Sequence, residues 1–267
     1  MKKNVVFPTL MGGLGNRMFQ VATSYAYAQV NHKNLVLDVL KISPNPHSQI
    51  DYNTSIFKNI PKILTLDPNS CSFIHEPGNK AISYFYLPPL DGNVHLFGYF
   101  QCEKHFGSYR EQLKTLFELP EIQEKPTTNS MFMHVRRGDY TKVSIHGGYD
   151  YDLYYGNALD YLSSKFDSLH IYVFSNDMEW CKSWDLLKKY KFEFHFLVLN
   201  ELETLKFMTL CDKGGICANS SFSWWGAYLN DSPQKEVLMP NQWFFEKPES
   251  EYKNEIAFEK CKAFPCK

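Results

Sequence analysis

From residue 131 onward the sequence changes period at short, regular intervals, and this alternation limits the fold more than any other feature. Apolar runs of strand length at 131–136, "LHIYVFS", "EFHFLVL", "GICAN" and "EVLMP" are separated by helical patterns near 153–165, from Asp177, at 201–211 and at 221–229. Strands alternating with helices imply parallel pairing through right-handed crossovers, so all-helical and all-β folds are set aside. The first part of the chain repeats the signature. "NVVFPTL" reads as a strand and "GGLGN" as a turn; Met18, Phe19, Ala22, Tyr25, Ala26 and Gln29 recur at helical spacing, and "LVLDVL" closes a βαβ unit. "VHLFGYFQ" reads as a further strand and 103–117 as an amphipathic helix, whereas 41–93, rich in Pro, Asn, Asp and Ser, predicts little regular structure.

The stretch "ELPEIQEKPTTNS" (118–130) joins two prolines to a charged, polar run and is the best linker. The expected organisation is therefore an N-terminal lobe over 1–125, a C-terminal lobe over 126–245, and a charged, aromatic segment over 246–267 that forms a helix packing back on the first lobe.

Charge excludes several functions. Lys+Arg of 28 against Asp+Glu of 29 gives no global field for nucleic acid or an anionic membrane, so any anion site must be local. No apolar stretch approaches the roughly 20 residues that span a bilayer, and "MKKNVVFPTL" lacks the apolar core of a signal peptide. Seven cysteines without C-x-x-C or zinc-ligand spacing read as reduced thiols of a cytosolic protein, with Cys261 and Cys266 the one pair considered for a bridge.

Four stretches carry chemistry-bearing residues at strand ends. In "HVRRGDY" the strand delivers Arg136 and Arg137 to its carboxyl end, where parallel sheets bind ligands. Adjacent residues there point different ways, so one arginine can meet a phosphate bidentately while the other anchors the loop, with Asp139 as the expected partner. The alternative is a purely structural salt-bridged turn. "GGLGNR" (12–17) allows close backbone approach at a helix N-terminus. It falls short of a dinucleotide fingerprint, since Met18 stands where the third glycine belongs, although Asp38 follows at about the right distance. In "ANSSFSWWGAYL" Ser220, Ser221 and the first helical N–H groups can hold phosphate oxygens, while Phe222, Trp224 and Trp225 offer faces or simply fill a core. In "VFSND" Asp177 can cap the next helix. "DYD" (150–152) spells a metal-binding D-x-D in a context that also suits a helix cap.

Taken in order and spacing, "GGLGNRMFQ", "GYFQ", "HVRRGDY", "FSND" and "NSSFSWWGA" resemble the blocks of the bacterial α-1,2-fucosyltransferases over about residues 4–245. That resemblance implies two Rossmann-like lobes of GT-B type with the active site in the cleft between them. It implies inverting, metal-independent transfer of L-fucose from GDP-fucose to the 2-hydroxyl of a β-galactoside in a surface glycan. No cofactor and no metal are expected. Carried over, Arg136 binds the β-phosphate of GDP, Arg137 and Asp139 order the motif, and His134 lies near the nucleoside. Ser220, Ser221 and Phe222 make a second diphosphate contact, Asp177 belongs to the donor-binding set, and Gly15 and Asn16 close over the donor. Arg17 stands where many relatives have glutamine, and Asp139 is the first candidate for general base. The implied partner is a galactose-containing oligosaccharide or lipid-linked acceptor, with no nucleic acid, and the implied location is the bacterial cytoplasm, with contact to the inner membrane face through the substrate. Competing expectations are another acceptor or linkage, an NAD-dependent nucleotide-sugar enzyme using Asp38, and a non-catalytic nucleotide-sugar-binding protein.

Overall fold

Every strand pairing among the described residues is parallel. The computed structural model describes residues 4–42, 49–64, 66, 70–78, 82–141, 148–245 and 254–267, Asp139 by its backbone alone. The chain divides into two units, Met1–Leu119 with Glu251–Ile256, and Pro120–Ser250 with Ala257–Lys267.

In the first unit, strand β1 (Val5–Pro8) leads through helix α1 (Leu14–Val30) to β2 (Asn34–Leu35), completing the βαβ unit. The run "LVLDVL" does not continue as one strand. After β2 the chain changes partner, and β3 (Leu37–Asp38) pairs with β4 (Lys62–Ile63) in a separate two-stranded sheet. The main sheet has the order β2-β1-β6-β5, with β5 at Cys71–His75 and β6 at Asn93–Phe97. Strand β5 lies in the stretch expected to be irregular. It buries only Ile74 among its five residues, so no alternating apolar pattern announces it. The segment 103–117 is not one helix either: two 3-10 turns, Glu103–His105 and Gly107–Tyr109, precede a short α2 (Arg110–Leu116).

The second unit follows the sequence pattern closely. Its elements are β7 (Ser130–Val135), α3 (Tyr151–Ser163), β8 (His170–Ser175), α4 (Met178–Ser183), β9 (Glu193–Phe196), α5 (Glu201–Leu210), β10 (Gly214–Ile216), α6 (Ser221–Leu229) and β11 (Glu236–Pro240). Met131, Met133 and Val135, two apart on β7, face Tyr154, Tyr155, Ala158, Leu159 and Leu162 of α3 in one buried cluster, as the strand and helix periods require.

A final strand, β12 (Cys261–Phe264), pairs with β11 and completes the order β12-β11-β10-β7-β8-β9. The expected C-terminal helix is therefore not formed at these positions; β12 instead satisfies the backbone groups that β11 would expose as an edge. Among the described residues of this segment, Asn254–Ile256 belong to the first unit, where Glu255 accepts from the Tyr84 N–H at 2.8 Å and pairs with Lys104 at 2.7 Å. Residues 246–253 lie outside the described set. All seven cysteines are free thiols, Cys261 and Cys266 included. No helix among the described residues is long and apolar enough to cross a membrane.

Candidate active site

In the second sheet β7 comes first in the chain, β8 and β9 build outward on one side of it, and β10, β11 and β12 build on the other. The order reverses between β7 and β10, and ligands of open parallel sheets bind beyond the carboxyl ends at such a reversal. The loops that leave β7 and β10 there are "RRGDY" and "CANSS", two of the stretches singled out in the sequence.

These loops are held by three tyrosine hydroxyls. Tyr155 Oη donates to the His134 carbonyl at 2.5 Å, Tyr154 Oη to the Cys217 carbonyl at 2.6 Å, and Tyr151 Oη to the Arg136 carbonyl at 2.7 Å. All three tyrosines lie on α3, so one helix fixes the ends of both strands. Tyr140 ties the loops together by donating to the Asn219 carbonyl at 3.4 Å.

The two arginines divide their tasks. Arg137 is an anchor: its Nε donates to Asp177 Oδ2 at 3.1 Å, its backbone N–H donates to Asn176 Oδ1 at 2.8 Å, and its guanidinium lies 3.8 Å from the Trp180 ring centre. Asp177 makes no side-chain cap bond to α4, so its carboxylate serves Arg137 rather than the helix. Gly138, at φ +45°, lets this loop pass Asn176, where a Cβ would come within 2.5 Å of the amide. Arg136 is half-buried, with its guanidinium 5.2 Å from the Tyr140 ring centre and therefore beside the loop from β10. The side chain of Asp139 lies outside the described residues.

His134 faces α6 from β7, its ring 5.6 Å from that of Phe222. Burial, with help from the Arg136 charge, pushes its pKa down to about 3, so the imidazole is neutral at any working pH. Its buried Nδ1 makes no hydrogen bond among the described residues. Ser220 caps α6, its hydroxyl accepting from the Phe222 N–H at 3.4 Å, and Ser221 opens the helix. Trp224 and Trp225 are fully buried against Tyr228, so they are core residues. The arrangement places an arginine fork, a helix N-terminus and a neutral imidazole around one strand reversal. Those are groups that hold an anion and an adjoining ring.

The first unit repeats the device. Its order reverses between β1 and β6, and the turns beyond them meet where Gln101 Nε2 donates to Asn16 Oδ1 at 2.6 Å. Gly12 takes φ +75° beneath the Asn16 side chain, and Gly15 lies in the first turn of α1. Arg17 is buried and donates to the Gly12 carbonyl at 2.8 Å, so it props the glycine turn. Gln101 receives its position from Glu76, whose carboxylate accepts from the Tyr99 and Phe100 N–H groups at 2.8 and 2.6 Å. Phe100 sits there at φ +52°, a strained value for a bulky residue. Sequence reading missed Glu76, since "FIHEPG" matches no ligand motif.

Two competing expectations lose their residues. Asp38 is buried and accepts from the Leu40 N–H at 3.0 Å as the cap of a 3-10 turn, which takes it out of a ribose-binding role. In "DYD", Asp150 caps α3 through the Leu153 N–H at 2.9 Å and Asp152 accepts from Trp184 Nε1 at 2.6 Å, so each carboxylate has a structural task.

The chain is 32% identical to an alpha-1,2-colitosyltransferase of Escherichia coli, covering 90% of this chain and 93% of that one. It is 28% identical to the O-antigen biosynthesis glycosyltransferase WbnK of Escherichia coli, over 90% and 95% of the two chains. The crystal structure of fucosyltransferase NodZ from Bradyrhizobium superposes with a TM-score of 0.53 at 11% identity, over 85% of this chain and 93% of that chain, a likeness of fold. The model of Glycosyl transferase family 11 matches residues 2–260, and the chain belongs to that family and is a glycosyltransferase.

Proposed function

We propose that this chain transfers L-fucose from GDP-fucose to the 2-hydroxyl of a β-galactoside in a surface glycan, inverting the anomeric centre and using no metal. The observation that carries the reading is Arg136 at the strand reversal, its guanidinium against the Tyr140 ring, while the neighbouring Arg137 is engaged by Asp177. A diphosphate leaving group gathers charge as the sugar bond breaks, and a fixed guanidinium stabilises that charge at any working pH. Ser220, Ser221 and the α6 N–H groups give the diphosphate a second contact, while His134 and Phe222 border the nucleoside. In the first unit, Gly15 and Asn16 are assigned to substrate binding at the β1/β6 reversal. Asp139 takes the acceptor proton in this scheme. His134 is unsuited to that task, since a group with a pKa near 3 holds a proton poorly.

A second reading concerns the donor alone. The 32% relative transfers colitose, the 3-deoxy analogue of fucose. A site that hydrogen-bonds the 3-hydroxyl rejects the deoxy sugar by about 10⁴-fold, whereas an apolar surface there rejects neither strongly.

The test is nucleotide release from GDP-fucose and from GDP-colitose with a β-galactoside acceptor, with and without EDTA, followed by linkage analysis of the product. Chelator-insensitive release from GDP-fucose with a 2-linked product supports the first reading. A preference for GDP-colitose transfers the assignment to the second, and absence of release from either donor on a panel of galactosides refutes both.

A further inference from the structure

A cluster of metal-ligating side chains lies away from every residue assigned to the reaction. His170 opens β8, and the parallel register places it opposite Glu193 on β9 and Tyr172 opposite His195. Glu193 and His195 are two residues apart and share one face of the sheet, to which the register also brings His170. As a result His170 Nδ1 lies 3.1 Å from His195 Nε2 and 3.3 Å from Glu193 Oε2, and His195 Nε2 lies 4.0 Å from Glu193 Oε2. Among the described residues this is the one group of three such side chains whose ligand atoms all approach one another within 4.8 Å.

We propose that His170, Glu193 and His195 form a binding site for a zinc-class divalent ion that fastens the edge strand β9 to β8. Two ligand atoms each about 2.0–2.1 Å from a tetrahedral ion stand roughly 3.3–3.4 Å apart; the 3.3 Å separation matches, 3.1 Å falls just short and 4.0 Å is longer. Two imidazoles and a carboxylate suit zinc and leave its fourth position to water. The proton count favours an ion. Nδ1 of His170 is approached by both an imidazole nitrogen and a carboxylate oxygen, and a single N–H serves only one of them well, whereas a cation satisfies all three lone pairs. Tyr172 stacks on His195 with ring centres 4.7 Å apart and holds that ring in place. The site is at the amino end of β8, about 17 Å from the carboxyl end at roughly 3.3 Å per residue, so the ion stabilises the sheet and takes no part in transfer.

The test is thermal unfolding of chelator-treated protein titrated with Zn²⁺ or with Mg²⁺, for the natural chain, His195→Gln and His170→Ala. Zinc at about a hundred times its dissociation constant is expected to raise the unfolding midpoint of the natural chain by about 5 °C, and magnesium to leave it unchanged. Both variants are expected to lose the zinc response, and circular dichroism before titration verifies that they are folded. Cobalt substituted for zinc is expected to give the visible absorption of a four-coordinate N/O site in the natural chain alone. A natural chain indifferent to zinc overturns the proposal, as does a zinc response that persists undiminished in both folded variants. Transfer activity does not enter the readout, so the outcome is independent of the donor and acceptor assignment.

Discussion

Arg137 Nε lies 3.1 Å from Asp177 Oδ2, and this pair, forty positions apart in the chain, is what separates the duties of two adjacent arginines. With Arg137 fixed between Asp177 and the Trp180 ring, Arg136 lies against the Tyr140 ring, whose hydroxyl meets the loop from β10. Replacing Arg136 with Lys keeps the charge but removes the bidentate fork. Turnover is expected to fall by about two orders of magnitude, comparable to losing one oxyanion donor. Arg137→Lys is expected to lower stability as well, since it weakens both the ion pair and the stacking on Trp180, by about 1 kcal/mol. Steady-state kinetics and thermal melts on both variants check the division; an Arg136→Lys enzyme with near-normal turnover rules out the role given to Arg136.

Gly138 offers a second test of the same loop. An added Cβ meets Asn176 Nδ2 while the backbone stays at φ +45°. Gly138→Ala is expected to cost about 1–3 kcal/mol of stability and to reduce turnover with it. The pair Gly138→Ala with Asn176→Ala removes the collision, keeps the backbone strain and loses the Arg137 N–H bond to Asn176 Oδ1, so against Asn176→Ala alone it is expected to show only the strain part of the loss in denaturant unfolding. Full recovery shows that steric contact alone requires the glycine.

Glu76 makes stability depend on pH in an uncommon direction. Burial raises its pKa from 4.5 to about 7, against the opposing effect of the Tyr99 and Phe100 N–H groups. The folded protein therefore holds this proton more tightly than the unfolded chain does. Its contribution is complete below about pH 4.5 and is lost as pH rises through about 7. Relative to Glu76→Gln, the natural chain is expected to lose stability on the order of a few kcal/mol between those limits. Urea unfolding of both proteins at half-unit pH steps measures the difference, and a pH-independent difference removes Glu76 as its source.

Asp150 separates a helix cap from a metal ligand. Asparagine caps a helix about as well as aspartate, so Asp150→Asn is expected to leave stability and transfer activity near normal, whereas Asp150→Ala costs about 1 kcal/mol. Loss of activity in a folded Asp150→Asn protein, restored by added magnesium, reinstates "DYD" as a metal site.

The local elements and the kinds of residue at their ends are legible in the amino-acid order alone. The continuous apolar run on 131–133, in a strand buried on both faces, and the helical spacing along 151–163 are dictated by which faces each element buries, and that information sits within a window of a few turns. The placement of "HVRRGDY", "GGLGN" and "NSSF" just after strands was legible for the same reason. Strand β5 and the broken run after β2 were not, because the first buries one residue in five and the second changes partner midway. It took the folded chain to show that Asp177 holds Arg137, that Glu76 sets the Gln101 turn, that Cys261–Phe264 joins the second sheet, and that His170 meets Glu193 and His195. Each of these depends on strand order and register between segments tens of residues apart. Register is settled by how whole faces pack, so no local pattern records it.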